Sequence, residues 1–327
     1  MKAGAVGAGI IGTALLDRLG EAGWETGFVA RRSGVYINGE RLGDLDKYAE
    51  YCGGVDVAFL AIPTLDDGRT AFDYIHSFHR LGIPVVTCEK GAMSNYYDEL
   101  EGSLDCIGYS ATVGGGTRLL RYLREMQGRN IWEIHAIVNG TLNYIFDEVS
   151  SGRSLGEVVA ETKKLGYAEP GEGSPLDVLN GELHDVAMKT AILFNISGVA
   201  DKRIRAVDIC YKPLDDDDLR RLMREASSRR YIVSISGENG DNDMIGGFEH
   251  NVDGWTISAG FRNIHENPLF QQLVPPGVNN ALMIVEGEYG SDGTYVVKGQ
   301  GAGAKPTISS MMKDADKLLK KKIFTIT

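Results

Sequence analysis

The stretch HDVAMKTAILF, residues 184–194, puts Asp185 and Lys189 four residues apart in a run with helical apolar spacing. Such a pair is most simply a solvated helix pair worth a few tenths of a kcal/mol. Here both residues fall on the stripe that continues through Ile192 and Ile196. On that face an ammonium could stabilise negative charge growing on a substrate oxygen and donate a proton, with the acid holding it in place. A second pattern is Gly7-Ala8-Gly9-Ile10-Ile11-Gly12. Gly7 permits a tight turn, Gly9 lets a pyrophosphate approach the backbone, and Gly12 allows close helix packing. Ile10 and Ile11 open a helix whose free N–H groups favour phosphate. A glycine turn without a ligand is the plainer alternative. Arg31 and Arg32, followed by Ser33, close the next strand with no acid beside them. Guanidinium groups suit a 2′-phosphate, so NADP is expected ahead of NAD, unless the arginines are only surface charges. Lys90, in TCEKG, ends another strand, where ligands bind in open α/β sheets; the other reading is a solvated strand end.

Strands alternating with helices must position these groups. KAGAVGAG, TGFVARR, VDVAFLAIP, IPVVTCEK and IGYSATV are strand-like runs. TALLDRLGEAG and FDYIHSFHRLG between them have helical period. That alternation implies a parallel sheet with crossover helices, a Rossmann-type domain over residues 1–130. From residue 131 to 299 the pattern changes to WEIHAIV, YIVSISGE, WTISAGF, NNALMIVEGEY and TYVVKGQG, with helices TLNYIFDEVSSG and LGEVVAETKKLG. An α+β domain with an open mixed sheet is expected there. GQGAGAKPT then returns the chain through a glycine turn to the nucleotide domain, which a helix at about 300–327 joins. The fold class is α/β.

The chain has 327 residues, 43% apolar and 24% charged, enough for two cores. A net charge of -11 argues against nucleic acid and anionic membrane as partners. Cys52, Cys88, Cys106 and Cys210 form no CxxC pair, which implies reduced thiols and a cytoplasmic location. No signal peptide or membrane-length apolar run is apparent. The six histidines show no metal-ligand spacing.

GAGIIG, VVTCEKG, ATVGGG, IVNGTLNYI, LGYAEP, DVLNGELHDVAMK and GQGAGAKPT occur in this order. With these pieces the chain resembles homoserine dehydrogenases of the short form without a regulatory domain, as far as residue 319. The resemblance implies reversible NAD(P)-dependent interconversion of L-homoserine and L-aspartate 4-semialdehyde, a small amino-acid substrate, and a homodimer formed through the second domain's sheet. It implies Lys189 as the acid–base, with Asp185 beside it and Lys90 near nicotinamide and substrate. Glu169 would grip the substrate ammonium, and Asp177, Gly140, Thr141 and Glu182 would line the substrate site. Gly301 and Gly303 would approach the cofactor. Backbone groups at Ser110, Val113 and Gly115 would hold a monovalent cation.

Three departures stand out. Glu89 precedes Lys90 where the family has asparagine, and Ser110 replaces a glutamate. The segment from Glu169 to Lys189 is several residues longer than usual, so Asp177 lies farther from Lys189 and Glu182 could take its role. The alternatives are a related dehydrogenase for another semialdehyde or hydroxy acid, and a nucleotide-binding sensor without catalysis.

Overall fold

Short runs, apolar at the centre of the sheet and punctuated by glycine and proline, build the first sheet in the computed structural model, which describes residues 1–168, 173–237, 243–301 and 303–326. The chain divides into two compact units, Met1–Gly116 with Ala304–Thr327, and Thr117–Gly303. The first unit runs β1 (Lys2–Val6), α1 (Ile10–Glu21), β2 (Glu25–Arg31), β3 (Gly34–Ile37), β4 (Glu40–Gly43), β5 (Val57–Leu60), α2 (Arg69–Arg80), β6 (Val85–Thr87), α3 (Gly91–Asn95), α4 (Tyr97–Glu101) and β7 (Ile107–Gly108). The sheet order is β4-β3-β2-β1-β5-β6-β7. β2, β1, β5, β6 and β7 are parallel, and β3 and β4 extend the edge antiparallel. That edge follows from Asn38-Gly39, whose φ angles of 50° and 85° are those of a tight hairpin turn. Of IGYSATV only Ile107–Gly108 pairs as a strand. The following residues turn instead, because the Tyr109 carbonyl accepts from Thr112 and Ser110 is bound by Asp314.

The second unit holds α5 (Leu119–Glu125), β8 (Ile131–Ile137), α6 (Gly140–Ser150), α7 (Leu155–Lys164), α8 (Pro175–Ser197), α9 (Asp216–Arg224), β9 (Arg229–Ser236), β10 (Ile245–Val252), β11 (Trp255–Asn263), α10 (Pro268–Leu273), β12 (Asn279–Glu286) and β13 (Gly293–Gln300). Its sheet, ordered β10-β11-β9-β8-β12-β13, is antiparallel throughout, so the mixed pairing lies in the first sheet. α6 packs on β9 and β12, and α5 packs on α8 and β12, which groups α5 with this unit although the sequence boundary at 130 puts it in the first. α10 covers part of the sheet, with Phe270 and Leu273 against Ile137, Ala281 and Met283. Finally α11 (Ala304–Ile326) belongs to the first unit, where Ile308, Met311 and Ala315 join Leu15, Leu19, Phe59 and Val86 in one core.

α8 is the longest element of the second unit, and its start is written in the sequence. Ser174 caps it, Pro175 enters its first turn, and Asp177 completes a capping box. Gly198, at φ 67°, ends it. Asp215 and Asp218 make a second capping box at α9, which accounts for the acidic run at 215–218.

Candidate active site

In the first unit the turn after β1 is shaped by absent side chains. Gly7 has φ 96°, and a Cβ there would lie 2.2 Å from the Ala61 carbonyl oxygen. A Cβ at Gly12 would lie 2.3 Å from the Gly7 carbonyl oxygen, so Gly12 serves the turn's own closure. Around Gly9 nothing comes within 4 Å of the Cβ position. α1 therefore starts with no side-chain cap and no acid in its first turn, and Ile10 is 85% exposed. Backbone N–H groups at an open, uncapped helix start fit a pyrophosphate. At the end of β2, Arg31 and Arg32 are exposed, and the Arg31 guanidinium lies 5.1 Å from the Tyr36 ring centre. The hydroxyls of Ser33 and Tyr36 are hydrogen-bonded at 2.9 Å, and Arg41 Nε donates to the Ser33 carbonyl at 2.7 Å. Tyr36 and Arg41 were invisible as site candidates in sequence, since only the Asn-Gly hairpin brings them back beside Ser33.

Lys90 is half-buried at the start of α3. Glu89 is 2% exposed and spends its carboxylate on α3: Oε1 accepts from Gly91 N at 2.5 Å and Thr64 Oγ1 at 2.6 Å, and Oε2 accepts from Ala92 N at 2.9 Å. The departure before Lys90 thus works as a helix-start acceptor. The Cys88 thiol is pushed up to about 11 by burial. Ser110 donates through both N–H and Oγ to Asp314, each at 2.8 Å, and Ser310 Oγ donates to the Gly115 carbonyl at 2.6 Å. Val113 is buried. These contacts tie Ser110 and Gly115 to α11.

In the second unit the opening pair is not a solvated one. Lys189 Nζ lies 2.7 Å from Asp185 Oδ2 and donates to the Val138 carbonyl at 2.8 Å, with side-chain exposures of 14% and 22% for lysine and acid. Val186, Ile192 and Leu193 are buried on the same helix. Glu182, Asp185 and Lys189 occupy one face at i, i+3 and i+7. Facing them is the β8–α6 turn. Asn139 Nδ2 donates to Glu182 Oε2 at 2.6 Å and to Asp185 Oδ2 at 3.1 Å. Its Oδ1 accepts from Leu142 N at 2.8 Å, capping α6. Asn139 was missed in the sequence, although an Asn-Gly-Thr ahead of a helical pattern is a helix-start signal.

Other candidates fall differently. Gly140 begins α6, where a Cβ would lie 2.5 Å from the Val278 carbonyl oxygen. Thr141 is buried and donates to the Tyr167 carbonyl at 2.7 Å. Asp177 is exposed and serves the α8 capping box, its carboxyl held low by hydrogen bonds from Ser174. Twelve residues of helix, about 18 Å, separate it from Lys189, so the cluster contains Glu182 and not Asp177. Glu169 lies outside the described residues. Gly301 packs on the buried Asn280, whose Oδ1 lies 1.5 Å from where a Cβ would stand, and Gly303 has φ 104°. The His184 ring lies 6.4 Å from that of Tyr211. Among the described residues no group of His, Cys, Asp and Glu could hold a metal, and no helix is long and apolar enough to cross a membrane.

The chain has known relatives. The homoserine dehydrogenase family model matches residues 119–315. Homoserine dehydrogenase of Saccharomyces cerevisiae is 28% identical, over 96% of this chain and 96% of that one. An NAD(+)-dependent homoserine dehydrogenase of Pseudomonas canavaninivorans is 26% identical, over 80% of this chain and 70% of its own. In fold, a hyperthermophilic archaeal homoserine dehydrogenase solved with NADPH matches with a TM-score of 0.69 at 24% identity, covering 98% of each chain.

Proposed function

The chain belongs to the homoserine dehydrogenase family, and from that premise we propose that it interconverts L-homoserine and L-aspartate 4-semialdehyde with Lys189 as acid–base. It is an NAD(P)-dependent oxidoreductase with a small amino-acid substrate. One observation carries the assignment of roles: the Lys189 ammonium is held in a mostly buried position by Asp185 and the Val138 carbonyl, on a face shared with Glu182. In the reducing direction the bound nicotinamide supplies hydride to the aldehyde carbon. Lys189 stabilises the negative charge that develops on the aldehyde oxygen and gives it a proton. Asp185 keeps the ammonium oriented, and Glu182 offers a carboxylate to the substrate's ammonium. For Lys90, in the first unit, the family resemblance implies a place near nicotinamide. In the first unit, the open N–H groups at Ile10 and Ile11 bind the pyrophosphate, and Arg31 and Arg32 favour the 2′-phosphate of NADP over NAD. Residues 1–130 with the C-terminal helix are the dinucleotide domain, and 131–299 the substrate and dimerisation domain. The strand β13, which pairs with β12 and ends the sheet among the described residues, has Tyr295 and Val296 exposed and supports a homodimer through that sheet. The four free cysteines suit the reducing cytoplasm.

The test is nicotinamide absorbance with homoserine and NADP, then NAD, followed by a panel of other hydroxy acids and semialdehydes. Turnover of homoserine with the higher kcat/KM on NADP is expected. Nucleotide binding without homoserine turnover would overturn the substrate, and the longer segment before Lys189 would then mark the preference for another semialdehyde.

A further inference from the structure

An ammonium has three N–H directions. At Lys189 the Val138 carbonyl and Asp185 Oδ2 define two of them, at 2.8 and 2.7 Å, which leaves the third for a substrate oxygen. What fixes Asp185 is therefore what aims that proton. Asn139, one residue beyond Val138, is 4% exposed. Its amide cannot be turned over: Leu142 N–H can only donate, so oxygen must face α6 and the NH2 must face the carboxylates. That NH2 reaches both Glu182 and Asp185. A single side chain thus starts α6, spans two carboxylates on α8, and sits in the turn whose backbone holds the lysine.

We propose that Asn139 is a positioning residue for the reaction, directing the proton of Lys189 by clamping Asp185 and Glu182 with its amide N–H groups. The proposal rests on the acid–base reading of Lys189. It extends that reading to a residue that acts through Asp185 and Glu182. Without the amide donor, two acids three residues apart repel, Asp185 swings, and the lysine follows it. The effect belongs in the proton-transfer step, so it should appear in kcat ahead of KM.

The experiment compares Asn139→Ser, Asn139→Asp and Lys189→Met in the full chain. Serine keeps the helix cap, and its single O–H on a shorter side chain cannot bridge both carboxylates as the amide NH2 does. Asn139→Ser is expected to lose ~30-fold or more in kcat, a share of the ~10²–10⁴ of an acid–base group. The KM for homoserine should rise by less than kcat falls, since Glu182 keeps its charge although it loses one of its donors, and the melting temperature should change little. Asn139→Asp keeps the acceptor for Leu142 and sets a third carboxylate against the other two. It should be less active than Asn139→Ser at alkaline pH and recover as pH falls, because its protonated form regains a donor. A normal kcat and pH profile in a folded Asn139→Ser or Asn139→Asp, with Lys189→Met inactive, would overturn this proposal and leave the acid–base reading standing. An active Lys189→Met would overturn both.

Discussion

Replacing Lys189 by methionine keeps an apolar stem of similar length and removes the ammonium. Two charged hydrogen bonds are lost, to Asp185 and to the Val138 carbonyl. Each would be worth about 1.5–3 kcal/mol if fully desolvated. Asp185 is 22% exposed and can be rehydrated, so a net destabilisation of about 1–3 kcal/mol follows. That corresponds to a fall of several degrees in melting temperature for a domain of this size. The kinetic effect is larger. An acid–base group contributes ~10²–10⁴ in rate, which is ~2.7–5.4 kcal/mol of barrier. Lys189→Arg separates the two contributions of the ammonium, since a guanidinium keeps the charge and does not release its proton. The assay is initial-rate formation of reduced nicotinamide with homoserine saturating, alongside nucleotide binding by fluorescence. Loss of kcat with binding intact, and a partial loss in Lys189→Arg, is the expected result. Methionine at 189 with turnover within about threefold of the unmodified protein would refute the assignment, because a contribution that small is no proton transfer.

Gly7→Ala should abolish nucleotide binding and destabilise the first unit by several kcal/mol, since its Cβ would sit 2.2 Å from a backbone oxygen at φ 96°; thermal melting with and without NADP reads both. Arg31→Glu should lower the NADP-to-NAD ratio of kcat/KM by ~10-fold or more, at the level of one to two charged hydrogen bonds; an unchanged ratio would make Arg31 a surface charge. Asp177→Asn should leave kcat unchanged and lower the melting temperature at neutral pH. Because the folded carboxyl is held low, its contribution is full above the ordinary aspartate range and disappears as pH falls through the lower folded value, so the two proteins should converge in acid. Arg229→Met should destabilise the second unit by about 2–4 kcal/mol: that 2% exposed guanidinium joins Glu225 and Asp243, which are a third exposed and need it. Urea unfolding measures it.

How much was legible depended on whether a local pattern or a distant contact decided the outcome. The Gly7–Gly12 turn and the α8 stripe could be read because the groups that shape them are neighbours in sequence. The hairpin from Gly34 to Gly43 went unread although Asn38-Gly39 announces it, because its strands are only four residues each. Of IGYSATV, a strand by composition, two residues remain paired, since Asp314, far along the chain, takes Ser110. Which way the Asp177 oxygens turn could not be read, because an acid followed by a helical pattern is silent on it; one of them accepts from Ser174. Asn139 was passed over for the opposite reason. Its partners lie 43 and 46 residues away, and only the approach of α8 to the β8–α6 turn brings them near.

The continuity of α8 gives the added residues before Lys189 a particular meaning. A rod that grows at one tip does not rotate what is fixed at the other. Insertions upstream of Glu182 can therefore accumulate without touching the proton-handling end, while reshaping whatever meets the far end of a bound molecule. Evolution of chain length in this segment is thus uncoupled from the chemistry, and a change in the molecule accepted could arise there with every reacting group left in place.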